Sequence, residues 1–90
     1  MRLYWREHRI GQKLVLQGDD NSEEELGAVR KTPRGYDALA RALGYDPGRA
    51  AKGLASVEEA KQFVEAFTPW DLFEGTADLA VEPEVEPAKP

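Results

Sequence analysis

The sequence predicts an α+β fold, a small antiparallel sheet of three to four strands packed against one C-terminal helix and followed by a disordered acidic tail. Three observations predict it. Short apolar or alternating stretches broken by Gly, Pro and Asx residues fill the first half. One well-capped amphipathic stretch covers residues 56–68. After residue 73, large apolar residues give way to Glu and Pro.

The first two stretches, LYWREHR at residues 3–9 and KLVLQ at residues 13–17, flank Gly11 and read as a hairpin. Residues 18–25, GDDNSEEE, offer nothing to bury and read as a solvated loop. LGAVRKT, residues 26–32, reads as a third strand, and Thr32-Pro33-Arg34-Gly35 places Pro and Gly where a type I turn wants them. YDALARAL, residues 36–43, has helix-forming composition, yet Tyr36, Ala38 and Ala40 alternate after a tight reversal, and a fourth strand is the favoured reading. Gly44, Pro47 and Gly48 then make YDPGRAAKG, residues 45–53, a loop.

The helix carries the clearest signals. Ser56 and Glu59 have capping-box spacing, and Glu58 and Glu59 suit the positive end of the helix dipole. Val57, Ala60, Phe63, Val64 and Phe67 form one apolar stripe, and Pro69 forces Thr68 out of helical geometry. Lys52-Gly53-Leu54-Ala55-Ser56-Val57-Glu58-Glu59-Ala60-Lys61 resembles the ending of uncharacterised small bacterial and phage-borne proteins that pack one helix on a short sheet. That resemblance spans mainly residues 26–67 and implies a fold without a function.

Ninety residues make one small domain, assigned to residues 1–73, with 74–90 as the acidic, Pro-spaced tail. No apolar run approaches the ~18 residues that cross a bilayer. The charged start MRLYWREHRIGQ lacks the apolar core of a signal peptide. No cysteine is present, which removes disulfides and thiolate chemistry. A cytoplasmic protein without membrane contact, monomeric or homodimeric, is expected.

Nothing in the chain suggests an enzyme or a cofactor. The single histidine, His8, lies in a predicted strand, and Ser56 is explained by its cap. Asp19, Asn21 and Glu23 alternate like calcium ligands, but the Gly and the closing Glu of a calcium loop are missing, and a solvated loop is expected instead.

Two clusters remain as interaction candidates. Trp70, Asp71, Leu72 and Phe73 follow Pro69 where the core ends, and aromatic anchors of this kind insert into pockets of partner proteins. Asp71-Leu72-Phe73 is similar to the end of bacterial sliding-clamp-binding peptides, with Pro69 standing where their glutamine is found. The same residues equally suit a cap over the small core. The expected role is thus a non-enzymatic binding or modulator protein acting through protein contacts. The alternative is nucleic-acid binding through Arg30, Lys31, Arg34 and Tyr36, with the cations on phosphates and the tyrosine under a base. A net charge of −5 and a pI near 4.8 oppose that alternative unless the acidic tail, which could be autoinhibitory, is held away.

Overall fold

A computed structural model describes residues 1–41 and 49–88. Within them the chain forms a five-stranded antiparallel meander: β1 (Arg2–His8), β2 (Gly11–Gln17), β3 (Glu23–Thr32), β4 (Gly35–Ala40) and β5 (Ala50–Leu54), each strand beside its neighbours in sequence. Helix α1 (Val57–Ala66) follows and packs on β3, β4 and β5. A 3-10 turn, Pro69–Leu72, comes next. The α+β expectation holds, but the sheet has five strands rather than three to four.

β5 is the added strand, and β3 is longer than its local sequence predicts. β3 begins at Glu23, inside the stretch expected to be a solvated loop. Its three leading glutamates enter the sheet because each finds a cation: Glu23 pairs with Arg6, Glu24 with Arg41 at 2.9 Å and Glu25 with Lys13 at 2.9 Å. β5 begins inside the expected loop 45–53 and is written AAKGL, a sequence poor in strand formers. Its pairing with β4 supplies what propensity does not, with Leu39 opposite Ala50 and Tyr36 opposite Leu54 across an irregularity. The rest of that loop, through Gly48, and the end of the stretch 36–43 lie outside the described residues. Residues up to Ala40 form the favoured fourth strand, and Gly35 begins it at φ 127°, a value that favours glycine.

Ser56 caps α1 as its spacing requires, accepting a bond from the Glu59 backbone N–H at 3.1 Å. Glu59 reaches back to the Ala55 N–H at 2.9 Å, one residue before the cap. The helix ends at Ala66, two residues earlier than expected, and Thr68 turns into left-handed backbone at φ 42° immediately before Pro69. This conformation is costly for a β-branched residue, and it redirects the chain back across the sheet.

The core lies between one face of the sheet and α1. Leu3, Trp5, Leu14, Leu16, Leu26, Val29, Ala38 and Ala40 meet Ala60 and Val64, all of them buried. Trp5 donates its indole N–H to Glu65 at 2.9 Å, and the Lys61 ammonium lies 5.3 Å from the centre of its ring, so the helix holds the largest core side chain by packing and by a polar bond.

Small residues set how closely the layers approach. A Cβ on Gly27 would lie 2.5 Å from Val64 Cγ1 and 2.8 Å from the Leu39 carbonyl oxygen.

The segment after residue 74 was expected to be extended and disordered. It turns at residues 74–75 and 77–78, and residues 82–86 then run along the outer edge of β1. Glu82 donates its N–H to the Leu3 carbonyl at 2.8 Å, and Glu86 donates to Trp5 and accepts from Glu7, each at 2.8 Å. Leu79 and Val81 pack against the core. Composition predicted no burial here because it registers the Glu and Pro content, while the docking rests on two apolar residues and on backbone groups that an open edge leaves free.

Gly27→Ala is expected to lower unfolding free energy by about 1–3 kcal/mol through overpacking. Combined with Val64→Ala it should cost less than the sum of the two single losses, so chemical denaturation of the single and double variants will give a coupling between the two sites.

Candidate docking site

The Pro69–Leu72 turn is built on a buried proline. Pro69 is among the most fully buried side chains, and the fixed ring suits the first position of a 3-10 turn. Trp70 and Phe73 are half-buried and pack against the core, with the Arg41 guanidinium 5.8 Å from the centre of the Phe73 ring. Asp71 and Leu72 are exposed, Leu72 at 37%. Thr76, itself buried, places its hydroxyl 3.0 Å from the carbonyl oxygens of both Trp70 and Phe73 and shares its one proton between them. The Phe73 N–H closes on the Trp70 carbonyl at 3.0 Å.

Of the four residues picked from sequence as a docking cluster, two therefore face the core and two face outward. Sequence alone left that direction open because Trp, Leu and Phe are equally suited to a cap and to an anchor. Thr76 had no signal in the sequence, since a threonine in an acidic stretch reads as solvated.

The basic cluster is divided by the sheet. Register places Arg30 directly opposite Asp37 and Lys31 directly opposite Tyr36 on β3 and β4, and adjacent strand residues point to opposite faces. Tyr36 packs toward the core, so Lys31 and Tyr36 share the helix side while Arg30 lies on the other face. Arg34 sits in the turn with its backbone N–H on the Thr32 hydroxyl at 3.3 Å. The four do not form one cationic surface.

On the face away from α1, the structure assembles a group that sequence reading did not single out. Tyr4, 2% exposed, is covered by two guanidiniums, Arg2 at 4.4 Å and Arg6 at 5.5 Å from its ring centre. Arg6 donates to both carboxylate oxygens of Glu23, which stabilises its charged form and pushes its pKa up, and it also donates to the Tyr4 hydroxyl at 2.7 Å. Arg2 grips Glu82 through two bonds of 2.9 and 2.8 Å and also donates to Glu86. The hydrogen bonds from Arg2 hold the Glu82 carboxyl below the usual carboxylate range. The signal that could have revealed this group is the alternation of Arg2, Tyr4 and Arg6 along one strand face.

The other candidates dissolve into local structure. Asp20 accepts from the Ser22 hydroxyl at 2.6 Å and the Ser22 N–H at 3.0 Å, which lowers its pKa, and Asp19 holds the N-terminal ammonium at 2.7 Å. Glu23 is engaged by Arg6. Among the described residues no three His, Cys, Asp or Glu side chains gather as metal ligands. His8 stands exposed at the end of β1, beside a shallow hollow of about 500 Å³ that Arg6, Lys13 and Glu23 also line. No helix among the described residues is long and apolar enough to cross a membrane.

Comparison with protein-family models, with curated proteins and with solved structures finds no match to this chain.

The Glu82 contact has a defined pH dependence. A carboxyl with a depressed folded pKa contributes stability above its unfolded value, and that contribution is lost as pH falls through the folded pKa. The 82–86 segment should therefore loosen as pH drops below the ordinary glutamate value of about 4.3. Amide exchange at Glu82 and Glu86, compared with an amide inside the β1–β2 pair and corrected for the intrinsic pH dependence, will show selective loss of protection.

Proposed function

We propose that this chain is a non-enzymatic binding protein that acts through protein contacts, docking with the Trp70, Asp71, Leu72, Phe73 turn. In this reading the four residues divide the work. Trp70 and Phe73 hold the turn against the core, and Leu72 and Asp71 meet the partner.

The observation that carries the reading is the exposure of Leu72 on a turn fixed from both sides. A leucine beside a carboxylate, displayed on a backbone tied by Thr76 and seated on buried Pro69, loses little conformational freedom on binding. Such a display suits a partner surface with an apolar pocket and a neighbouring cation or N–H group, because an anchor side chain in a desolvated pocket supplies a large share of binding energy. Phe67, 39% exposed at the end of α1, is a second apolar contact one residue from the turn's cap. Its ring stacks edge-on against Phe63 at 5.1 Å, which limits its motion.

The variants separate docking from folding. Asp71→Ala/Leu72→Ala should unfold within about 0.5 kcal/mol of the parent chain, as exposed substitutions do. It should also lose a partner that the parent chain captures from its host and binds again when both are purified. Trp70→Ala should instead cost about 2–4 kcal/mol of stability. A double variant that keeps the purified complex intact would defeat the docking role, and a double variant as unstable as Trp70→Ala would assign the whole turn to the core.

A further inference from the structure

We infer that the outer edge of β1, with Arg2 at its head, is a binding site for an extended acidic peptide, and that the chain's own residues 79–86 occupy it in cis. This inference stands apart from the docking turn and does not depend on it.

Three observations point there. The first is chemical complementarity. Arg2 is laid over the Tyr4 ring and turned toward two carboxylates four residues apart, Glu82 and Glu86, so the edge reads a pair of acids through one guanidinium. The second is the backbone. Carbonyls of Leu3 and Trp5 and the N–H of Glu7 face outward along β1 and bond Glu82 and Glu86, which is how a strand is added to a sheet edge. Leu79 and Val81 reach the core ahead of the first acid, giving the occupant the pattern Leu-Ala-Val-Glu-Pro-Glu-Val-Glu.

The third observation is that the fit is imperfect. Between Leu3 and Trp5 the edge advances two residues, while the bound segment advances four from Glu82 to Glu86. The surplus bows outward at Pro83, Glu84 and Val85, all exposed, and Pro83 has no N–H to offer the ladder. A peptide without that bow would pair with β1 residue for residue. The cis segment is held at its acidic end by exposed ion pairs, which contribute little each and weaken with salt. The partner is therefore an extended segment of another protein with two apolar residues followed by acids that reach Arg2.

The test uses the full chain and a labelled synthetic peptide of residues 76–88, followed by fluorescence anisotropy. The tethered copy competes at an effective concentration of the order of millimolar, so the parent chain should bind the peptide weakly. Glu82→Gln/Glu86→Gln in the chain should bind it roughly tenfold more tightly, because its own segment competes less well. Adding Arg2→Gln to that chain should remove the gain, and a peptide carrying Gln at both acids should bind less tightly than the acidic one. In the parent chain, saturating peptide should speed amide exchange at the chain's own Glu82 and Glu86 while amides within β2 and β3 stay protected. Equal affinity of the parent chain and its double variant, or affinity that ignores Arg2, would overturn the inference. So would a chain that pairs only with a second copy of itself and leaves the free peptide unbound.

Discussion

The close approach of α1 to the sheet at Gly27 is the constraint on which the other parts depend. With no side chain on that strand position, Val64 descends into the space a Cβ would fill, and the helix comes near enough for Glu65 to reach the Trp5 indole. A small domain buries too little surface to tolerate a gap between its layers. Had the helix ridden higher, Trp5 would lose its polar partner. The Pro69–Leu72 turn packs on β3 as well, the strand that carries this glycine.

Charge plays a second, different part. The outer face of the sheet is not a solvated surface of scattered ions but carries the cross-strand pairs Arg6 with Glu23 and Lys13 with Glu25, while Glu24, opposite core residue Leu16, pairs with Arg41 on the other side at the end of β4. Each such pair is worth little alone. Together they allow a run of three glutamates to form the start of a strand, and they shield Tyr4 on a face that no helix covers. The acidic residues of the tail follow the same logic on Arg2, while the basic residues 30–34 take no part in it among the contacts that define Glu82 and Glu86.

How far the sequence disclosed this molecule depended on whether a signal was local. Ser56, Glu59 and the apolar stripe of α1 fix the helix within a few residues of one another, and the cap forms much as its spacing requires. The first hairpin and the Pro33-Arg34 reversal were legible for the same reason. What was hidden is cooperative. β5 consists of Ala, Lys, Gly and Leu and becomes a strand only because β4 offers a ladder, and Glu23 to Glu25 join β3 only because distant cations await them. The backbone of Trp70 and Phe73 is likewise tied by a buried threonine hydroxyl, which no pattern of polarity announces.

The closure of β1 by residues 82–86 bears on the order in which the chain can fold. Arg2 and Glu82 are separated by 80 positions, one of the longest sequence intervals bridged in the molecule, so their contact closes one of the largest loops it can make. During synthesis the meander and α1 can assemble while the edge of β1 is still bare, because residues 82–86 emerge after both. For that interval the strand offers unpaired backbone groups to any neighbouring nascent chain.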